Sequence, residues 1–407
     1  MSGTSMSWSR RGVIAGLAGL ASVGTSRVLR AAPSGAPIRV GQTLSLTGPF
    51  AQTGLVHKLT SEIFVAQLNA KDGLLGRPVE YVLLDDQSKP DVARTLYERL
   101  VTSDKVDFIL GPYGTAAILA AMGVAQRYKK IFIQNTMGVP SMATYEWHFS
   151  ALVSGDKPDK TLPELLYAAY DSTGHPPKSI AIVSNKYPSA LFMASGTEKA
   201  FAAREVKVVA HLEYEVGNRD YGAIAARIKD ANPDLLWVGC LGVEGNQILE
   251  ALGQLQYKPP RHYYLYPSSG PLALLPAADG AVSLTNFEDV APYNTTPVGA
   301  EFTRLFHEKA LAASLPFPYA DSQAANEYAG WQILTTAVEA TKSLDDAKLA
   351  AWLNDATIDT IVGRRDFKGK WHTSSRDQED LRQIQNGKWV AVWPKEHATP
   401  GVKLLAP

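Results

Sequence analysis

The chain lacks the sequence motifs of the common catalytic and metal sites. It has no HExxH zinc motif, no CxxC pair, no GxSxG nucleophile turn and no GxxxxGK[ST] phosphate loop. The eight histidines are scattered without metal-ligand spacing, at His57, His148, His175, His211, His262, His307, His372 and His397. The sequence therefore predicts a protein that binds a molecule without transforming it, and we expect no enzyme activity, metal or cofactor.

Polar residues with binding chemistry follow three short apolar runs, 38–46, 79–84 and 106–110, which alternate with segments of helical periodicity. This alternation favours parallel β-α-β units, and such sheets bind ligands at the carboxyl ends of their strands. The residues at these ends are Ser45 and Thr47, Asp85 and Asp86, and Tyr113 and Thr115. The aspartate pair permits acid–base or cation chemistry, but we expect it to end a strand and cap a helix that begins at Pro90.

The segment Gly111–Thr115 joins a predicted strand to a predicted helix. The free amides at a helix start carry partial positive charge and suit a carboxylate. The Thr115 hydroxyl offers a further hydrogen bond, and Tyr113 offers a surface for an apolar ligand. The alternative is that Thr115 only caps the helix.

Glu244 lies at the carboxyl end of a later strand, in the segment Gly239–Gln247. A carboxylate that faces a closing cleft is a natural partner for an ammonium group. The alternative is that Glu244 is a first-turn residue favoured by the helix dipole.

The alternation of strands and helices continues to about residue 266. A strand then precedes three helices near 298–312, 323–341 and 344–354, and we expect the tail runs 363–371 and 382–393 to pair with each other as antiparallel strands. Two α/β series followed by helices that belong to neither predict two lobes between which the chain crosses more than once.

Bulk composition agrees with a soluble globular protein. The 407 residues are 45% hydrophobic and 20% charged, and the formal net charge is +0. Such a balance gives no excess of positive charge that would favour binding to nucleic acid. The single cysteine, Cys240, cannot form an internal disulfide, and we expect it to fill space in the core.

The amino-terminal residues 1–32 are typical of an export signal. They contain Arg10, Arg11, Arg27 and Arg30 and no acidic residue, followed by small residues near Ala31–Ala36. The apolar run 12–24 is too short to cross a hydrocarbon core of about 30 Å. Paired arginines in SRRGVI predict the twin-arginine route to the periplasm, with an ordinary Sec signal or a basic tail as alternatives.

Four motifs give the chain a family resemblance. The segments TLSLTGPFAQTG, NAKDGLLGRPVE, LLDDQ and ILGP, in this order, resemble the periplasmic solute-binding proteins of the leucine/isoleucine/valine-binding family, which feed ABC importers. The resemblance implies an α/β fold of two doubly wound lobes joined by three hinge crossings, near Leu152, Leu284 and Ile361. Lobe 1 would comprise 37–152 and 284–361, and lobe 2 would comprise 153–283 and 362–407.

The resemblance also implies partners and roles. A monomer would bind a small ligand and present it to an inner-membrane ABC permease. The ligand carboxylate would rest on the turn at Tyr113–Thr115, where Gly114 replaces a common hydroxyl residue, so backbone amides would matter more. Thr136 would add a polar contact, Tyr187 resembles the aromatic residue that closes over the ligand, and Glu244 would meet an ammonium group.

One position departs from the family pattern. Thr53 stands where relatives often carry a shielding aromatic residue, and Tyr293 or Tyr319 would supply aromatic surface instead. The expected ligand is a branched-chain or other apolar amino acid, with a small aromatic or aliphatic carboxylate as the alternative. A secreted enzyme or a ligand sensor on the same fold remains an alternative from another functional class.

Overall fold

The computed structural model describes residues 33–265, 270–374 and 379–406, together with Gly3. The expected export signal, residues 1–32, lies outside the described residues apart from Gly3. Within the described ranges, no helix is both long enough and apolar enough to cross a membrane.

The first lobe is built on a parallel sheet. Five strands among the described residues form it in the order β2-β1-β3-β4-β5. They are β1 (Ile38–Leu44), β2 (Val79–Asp85), β3 (Phe108–Leu110), β4 (Phe132–Gln134) and β5 (His148–Ser150). The connecting helices are α1 (Ala51–Asn69), α2 (Pro90–Thr102) and α3 (Thr115–Tyr128). The carboxyl ends of these parallel strands meet at one edge of the sheet, as the strand and helix alternation predicts.

The second lobe contains a larger mixed sheet. Its described strands have the order β14-β13-β10-β9-β8-β6-β7. They are β6 (Ser179–Asn185), β7 (Lys207–Tyr214), β8 (Leu235–Gly239), β9 (Arg261–Tyr264), β10 (Val282–Thr285), β13 (Asp380–Gln385) and β14 (Lys388–Trp393). The helices are α4 (Pro158–Asp171), α5 (Pro188–Ala202), α6 (Gly222–Ala231) and α7 (Glu244–Gln254). Strands β6 to β10 pair in parallel, and β13 and β14 are antiparallel additions.

After β10 the chain returns to the first lobe. The returning elements are α8 (Pro297–Ala312), α9 (Ser322–Thr341), α10 (Asp346–Asp355), β11 (Thr357–Thr360) and β12 (Gly363–Asp366). Phe287 already packs in the core of the first lobe, and Phe367 still does. The last passage therefore lies between Phe367 and Asp380, later than the crossing expected near Ile361. The first two passages lie between Val153 and Leu162, and between Thr285 and Phe287.

The predicted pairing of the two tail runs is wrong. Strand β12 pairs with β11, and the run 382–393 folds on itself as the hairpin of β13 and β14. Asn386 and Gly387 form the turn with φ values of 54° and 73°. Asn-Gly favours this left-handed two-residue turn, because both residues tolerate positive φ. The Asn-Gly dipeptide is the sequence signal for this hairpin.

Helix α9 positions polar residues in the interior of the first lobe. It is buried on almost all sides, packing against α1 and β4. The Asp321 side chain caps its start by accepting from the Gln323 amide at 3.0 Å. Gln323 and Glu327, one turn apart, are therefore held at fixed positions inside the lobe.

Candidate functional site

A small cavity lies between the two lobes, and we call it the cleft cavity. Its volume is about 40 Å³. Most of its lining is apolar, from Tyr113, Gly114, Gly138, Leu152, Pro158, Leu162, Met193, Leu241, Leu265 and Leu284. The polar part of the lining comes from Thr136, Ser154, Ser189 and Glu379. A molecule held here would be enclosed mainly by aliphatic side chains of the second lobe.

The start of α3 forms one wall of the cleft cavity. Gly114 is the N-cap of this helix, and Thr115 is its first residue. The Gly114 amide donates to Thr136 Oγ1 at 2.9 Å, and the Gly138 amide donates to Thr115 Oγ1 at 3.1 Å. These two hydroxyls tie the helix start to the loop after β4. Each oxygen accepts from a backbone amide, which leaves its own hydroxyl hydrogen available as a donor.

Tyr187 reaches from the second lobe to the same helix start. Its hydroxyl oxygen accepts from the Ala116 amide at 3.0 Å, and burial raises the pKa of Tyr187 to about 12. A Cβ placed on Gly114 would lie 2.6 Å from this hydroxyl oxygen. Glycine at position 114 therefore makes room for the Tyr187 hydroxyl. This gives a structural reason for glycine at a position where relatives commonly carry a hydroxyl residue.

Aromatic rings close the cleft around this contact. Phe50 packs edge-on against Tyr113 at 5.6 Å and against Tyr187 at 5.7 Å between ring centroids. Two more close approaches join the lobes: a Cβ on Gly138 would lie 2.8 Å from Ser189 Cβ, and one on Gly242 would lie 2.9 Å from the Pro49 carbonyl. Glycines thus allow the lobes to meet at three points around the cleft.

Glu244 does not line the cleft cavity. It is the first residue of α7 and is 5% exposed. Its carboxylate accepts from Asn185 Nδ2 at 2.6 Å and from the amides of Leu241 and Gly217 at 3.1 and 3.2 Å. The Tyr214 hydroxyl donates a fourth bond at 3.3 Å, and burial raises the pKa of Glu244. The second lobe itself therefore satisfies this carboxylate.

The strand-end hydroxyls of β1 lie outside the cleft cavity. Ser45 Oγ donates to Asp86 and Thr47 Oγ1 donates to Asp85, both at 2.8 Å. The expectation that the aspartates cap α2 is wrong, because its N-cap is Lys89 without a side-chain hydrogen bond. These residues instead hold the loop that carries Phe50 into the cleft.

The two remaining tyrosines named from the sequence also lie elsewhere. The Tyr293 hydroxyl donates to Asp380 Oδ2 at 2.6 Å, where the chain passes between lobes. Tyr319 is 47% exposed and stacks on His307. Neither residue is part of the cleft cavity lining.

Sequence reasoning missed a buried polar network behind Tyr113. His57 Nδ1 lies 2.8 Å from Glu327 Oε2, and His57 Nε2 lies 2.9 Å from Gln323 Oε1. Ser61 Oγ donates to Glu327 Oε1 at 2.7 Å. The His57 ring packs edge-on against Tyr113 at 5.7 Å. No sequence signal joins α1 to α9 across 270 residues, so only the fold reveals the network.

The part of the chain that the structure describes holds no group of three His, Cys, Asp or Glu residues placed to bind a metal. Cys240 is buried among apolar residues of the second lobe. The arrangement is suited to enclosing a small, mainly apolar molecule between two lobes.

Comparison with known proteins identifies the family of the chain. The family model described as "Periplasmic binding protein" matches residues 37–387. The Leu/Ile/Val-binding protein BraC3 of Rhizobium johnstonii is 24% identical over 365 residues, which cover 88% of this chain and 94% of that protein.

Two solved structures share the fold. The leucine-binding protein LivK of Thermotoga maritima has a TM-score of 0.75 at 18% identity, covering 89% of this chain and 99% of that one. A solute-binding protein of an R. palustris ABC transporter, in complex with benzoate, has a TM-score of 0.72 at 20% identity, covering 91% of this chain and 99% of that one. The chain belongs to the periplasmic binding protein family, with the type I, two-lobe architecture of its Leu/Ile/Val-binding members.

Proposed function

We propose that the protein is the extracytoplasmic solute-binding component of an ABC importer. It acts in the periplasm as a monomer and binds a small apolar carboxylate between its lobes. The observation that carries this proposal is the apolar cleft cavity, which lies directly against the start of α3. Membership of the periplasmic binding protein family supports the transport role and a non-enzymatic one.

The carboxylate is assigned to the start of α3. Among the described residues of the lining there is no Lys or Arg, so backbone and hydroxyl donors must hold a negative charge. The first-turn amides of a helix supply such donors together with the positive end of the helix dipole. The ligand carboxylate would take the place of the Tyr187 oxygen at the Ala116 amide, and the Thr136 hydroxyl would donate to it.

The hydrogen bonds that the Glu244 carboxylate already accepts favour a ligand without an ammonium group. Because four donors of the second lobe already bind its carboxylate, a ligand ammonium would have to displace them. A small aromatic or aliphatic acid needs no such partner. The fold shared with the R. palustris protein in complex with benzoate supports this ligand class.

An apolar amino acid is the second candidate. The similarity to Leu/Ile/Val-binding proteins favours it, and Glu379 is an acidic residue among those that line the cleft cavity. In this version Glu379, rather than Glu244, would meet the ligand ammonium.

Ligand entry requires the lobes to separate. A cavity of about 40 Å³ holds one or two water-sized groups, whereas small-molecule sites usually measure about 300 to 1,000 Å³. We assign the hinge to the three passages between lobes. Rotation there would open the cleft, and closure around the ligand would present a surface to the permease.

A binding screen tests the proposed function. The purified protein is titrated with benzoate, pentanoate and leucine while its thermal unfolding is followed. At a hundredfold excess over Kd a ligand adds about 2.7 kcal/mol of stability, which raises Tm by several degrees. We expect saturable stabilisation by benzoate or pentanoate, with the acid recovered unchanged by mass spectrometry.

Two results would contradict the proposal, and a third would change its ligand class. Stabilisation by none of these ligands would exclude a small apolar carboxylate as cargo. Conversion of the acid to a product would make the protein an enzyme. Stabilisation by leucine alone, lost in Glu379→Gln, would replace the favoured ligand class with the second candidate.

A further inference from the structure

A groove lies at the hinge between the two lobes, and we call it the hinge groove. Its volume is about 480 Å³, within the range of about 300 to 1,000 Å³ that is usual for small-molecule sites. Its apolar part comes from Leu165, Pro292, Ile361, Val362 and Pro394. Leu165 packs against the core of the second lobe, whereas Val362 belongs to the core of the first. A molecule in the groove would therefore contact both lobes.

The polar part of the hinge groove lies on two of the three passages between lobes. Asn286 stands in the passage that follows β10, and Glu379 and Asp380 stand where the last passage ends and β13 begins. All three side chains are buried. Glu379 also lines the cleft cavity, and among the described residues it is the only one that lines both.

The hinge groove has an excess of negative charge. Glu379 and Asp380 contribute two neighbouring carboxylates, and the described residues of the lining include no Lys or Arg. The Tyr293 hydroxyl donates to Asp380 Oδ2 at 2.6 Å, and His397 Nδ1 lies 2.9 Å from Asp380 Oδ1. Each carboxylate oxygen can accept a further hydrogen bond. Burial raises the pKa of Asp380, and a cation bound beside it would favour its ionised form.

Two buried arginines near these carboxylates already have partners. Arg382 lies in β13, with its Nη1 atom 2.8 Å from Glu288 Oε1. Arg365 donates to the Leu152 carbonyl at 2.7 Å. Burial lowers the pKa of Arg365 to about 10, and the charge of Glu379 opposes this shift. Neither arginine is part of the described lining, so both leave the groove open to a cation.

Asn286 adds a buried acceptor to the two carboxylates. Its Nδ2 atom donates to Asn326 Oδ1 in α9 at 3.0 Å. Its Oδ1 atom has no hydrogen-bond partner among the described residues, although the side chain is only 5% exposed. A buried acceptor without a donor is costly. A donor bound in the groove would remove this cost.

We propose that the hinge groove is a binding site for a small organic ammonium ion, separate from the cargo site in the cleft. The ammonium group donates to Asn286, Glu379 and Asp380, and its alkyl chain lies against Leu165 and Val362. An ammonium group has three donors and no acceptor, which matches three acceptors and an apolar wall. A metal ion fits less well, because the described residues hold no group of three metal-ligating side chains.

Calorimetric titration with butylammonium chloride tests the site, and butan-1-ol is the matched uncharged probe. We expect saturable binding of butylammonium, at least roughly tenfold tighter than that of butan-1-ol, because hydrogen bonds between ionised groups are the stronger ones. The affinity for butylammonium should fall roughly tenfold in Asp380→Asn and roughly threefold to tenfold in Asn286→Ala. Thermal unfolding of each variant without the probe shows whether it is folded.

Asp289→Asn is the matched control. The Asp289 carboxylate accepts from Asn294 Nδ2 at 3.2 Å and lies outside the described lining of the hinge groove. Its replacement removes the same charge close by, and it should change the affinity for butylammonium by less than about twofold, because solvent and salt screen charges that do not touch the ligand.

Three results would overturn the ammonium site. They are a wild type that does not bind butylammonium saturably, equal affinity for the two probes, and an affinity for butylammonium that is unchanged in both Asp380→Asn and Asn286→Ala. The last result would place the amine elsewhere on the protein. Each of them leaves the proposed function standing, because acid binding in the cleft is measured in separate titrations without the amine.

Discussion

The contact between Gly114 and Tyr187 allows a prediction worked directly from the structure. Gly114 has φ 85° and ψ 147°, a conformation that almost only glycine adopts. Gly114→Ala therefore strains the backbone by about 1–3 kcal/mol, whether the cleft is open or closed. It also places a methyl group 2.6 Å from Tyr187 Oη, a clash that exists only while Tyr187 reaches the Ala116 amide.

A double-mutant cycle separates these two costs. Tyr187→Phe alone loses one hydrogen bond, worth about 0.5–1.5 kcal/mol. In the double variant the nearest ring atom to the new methyl group is Cζ, at 3.3 Å, which requires only a small shift. Because the hydrogen bond cannot be lost twice, the double variant should be less destabilised than the sum of the single changes by about 1 kcal/mol.

Urea unfolding of the four proteins, followed by tryptophan fluorescence, measures this coupling. Gly123→Ala is the control, since Gly123 lies in α3 with no atom within 4 Å of an added Cβ. It should be neutral or stabilising by up to about 1 kcal/mol and should not couple to Tyr187→Phe. Additive costs for Gly114→Ala and Tyr187→Phe, within about 0.3 kcal/mol, would refute the contact in solution.

Three further predictions concern the ligand, closure and pH. Glu244→Gln should leave the calorimetric affinity for benzoate within about twofold of the wild-type value, since the Glu244 carboxylate is hydrogen-bonded within the second lobe. A tenfold loss of affinity, about 1.4 kcal/mol, would contradict that structural role. Gly242→Ala should lower the affinity for every ligand of the cleft, because its Cβ would lie 2.9 Å from the Pro49 carbonyl and block closure. Unchanged affinity would show that closure does not need the close contact between Gly242 and Pro49. Burial lowers the pKa of His148 to about 3, below its unfolded value of about 6.5, so the unfolded state binds the proton first and stability falls as pH drops from about 6.5 towards 3. His148→Gln should flatten this part of the urea-derived stability profile, whereas exposed His175→Gln should not.

The sequence predicted most elements of both lobes because apolar runs and helical periodicity are local properties. The pattern also predicted that the chain crosses between the lobes more than once, but the places of these crossings came from the family resemblance alone. The tail hairpin was missed because β13 and β14 were interpreted as one long strand, although Asn386-Gly387 marks their turn.

The candidate site was less predictable than the fold. Tyr187 was named as a closing aromatic residue, but its hydrogen bond to the Ala116 amide depends on how closely two lobes approach. Glu244 was expected to meet an ammonium group, and residues as distant in sequence as Asn185 and Gly217 satisfy it instead. The link from His57 to Gln323 joins two helices that only the tertiary fold brings together.

A crystal structure of the protein grown with benzoate is the most direct measurement of the central claim. The account predicts one benzoate between the lobes, with its carboxylate at the Ala116 amide, its ring against Leu162 and Met193, and the Tyr187 oxygen displaced from that amide. Benzoate bound away from the start of α3, or a cleft without it at saturating concentration, would contradict the claim.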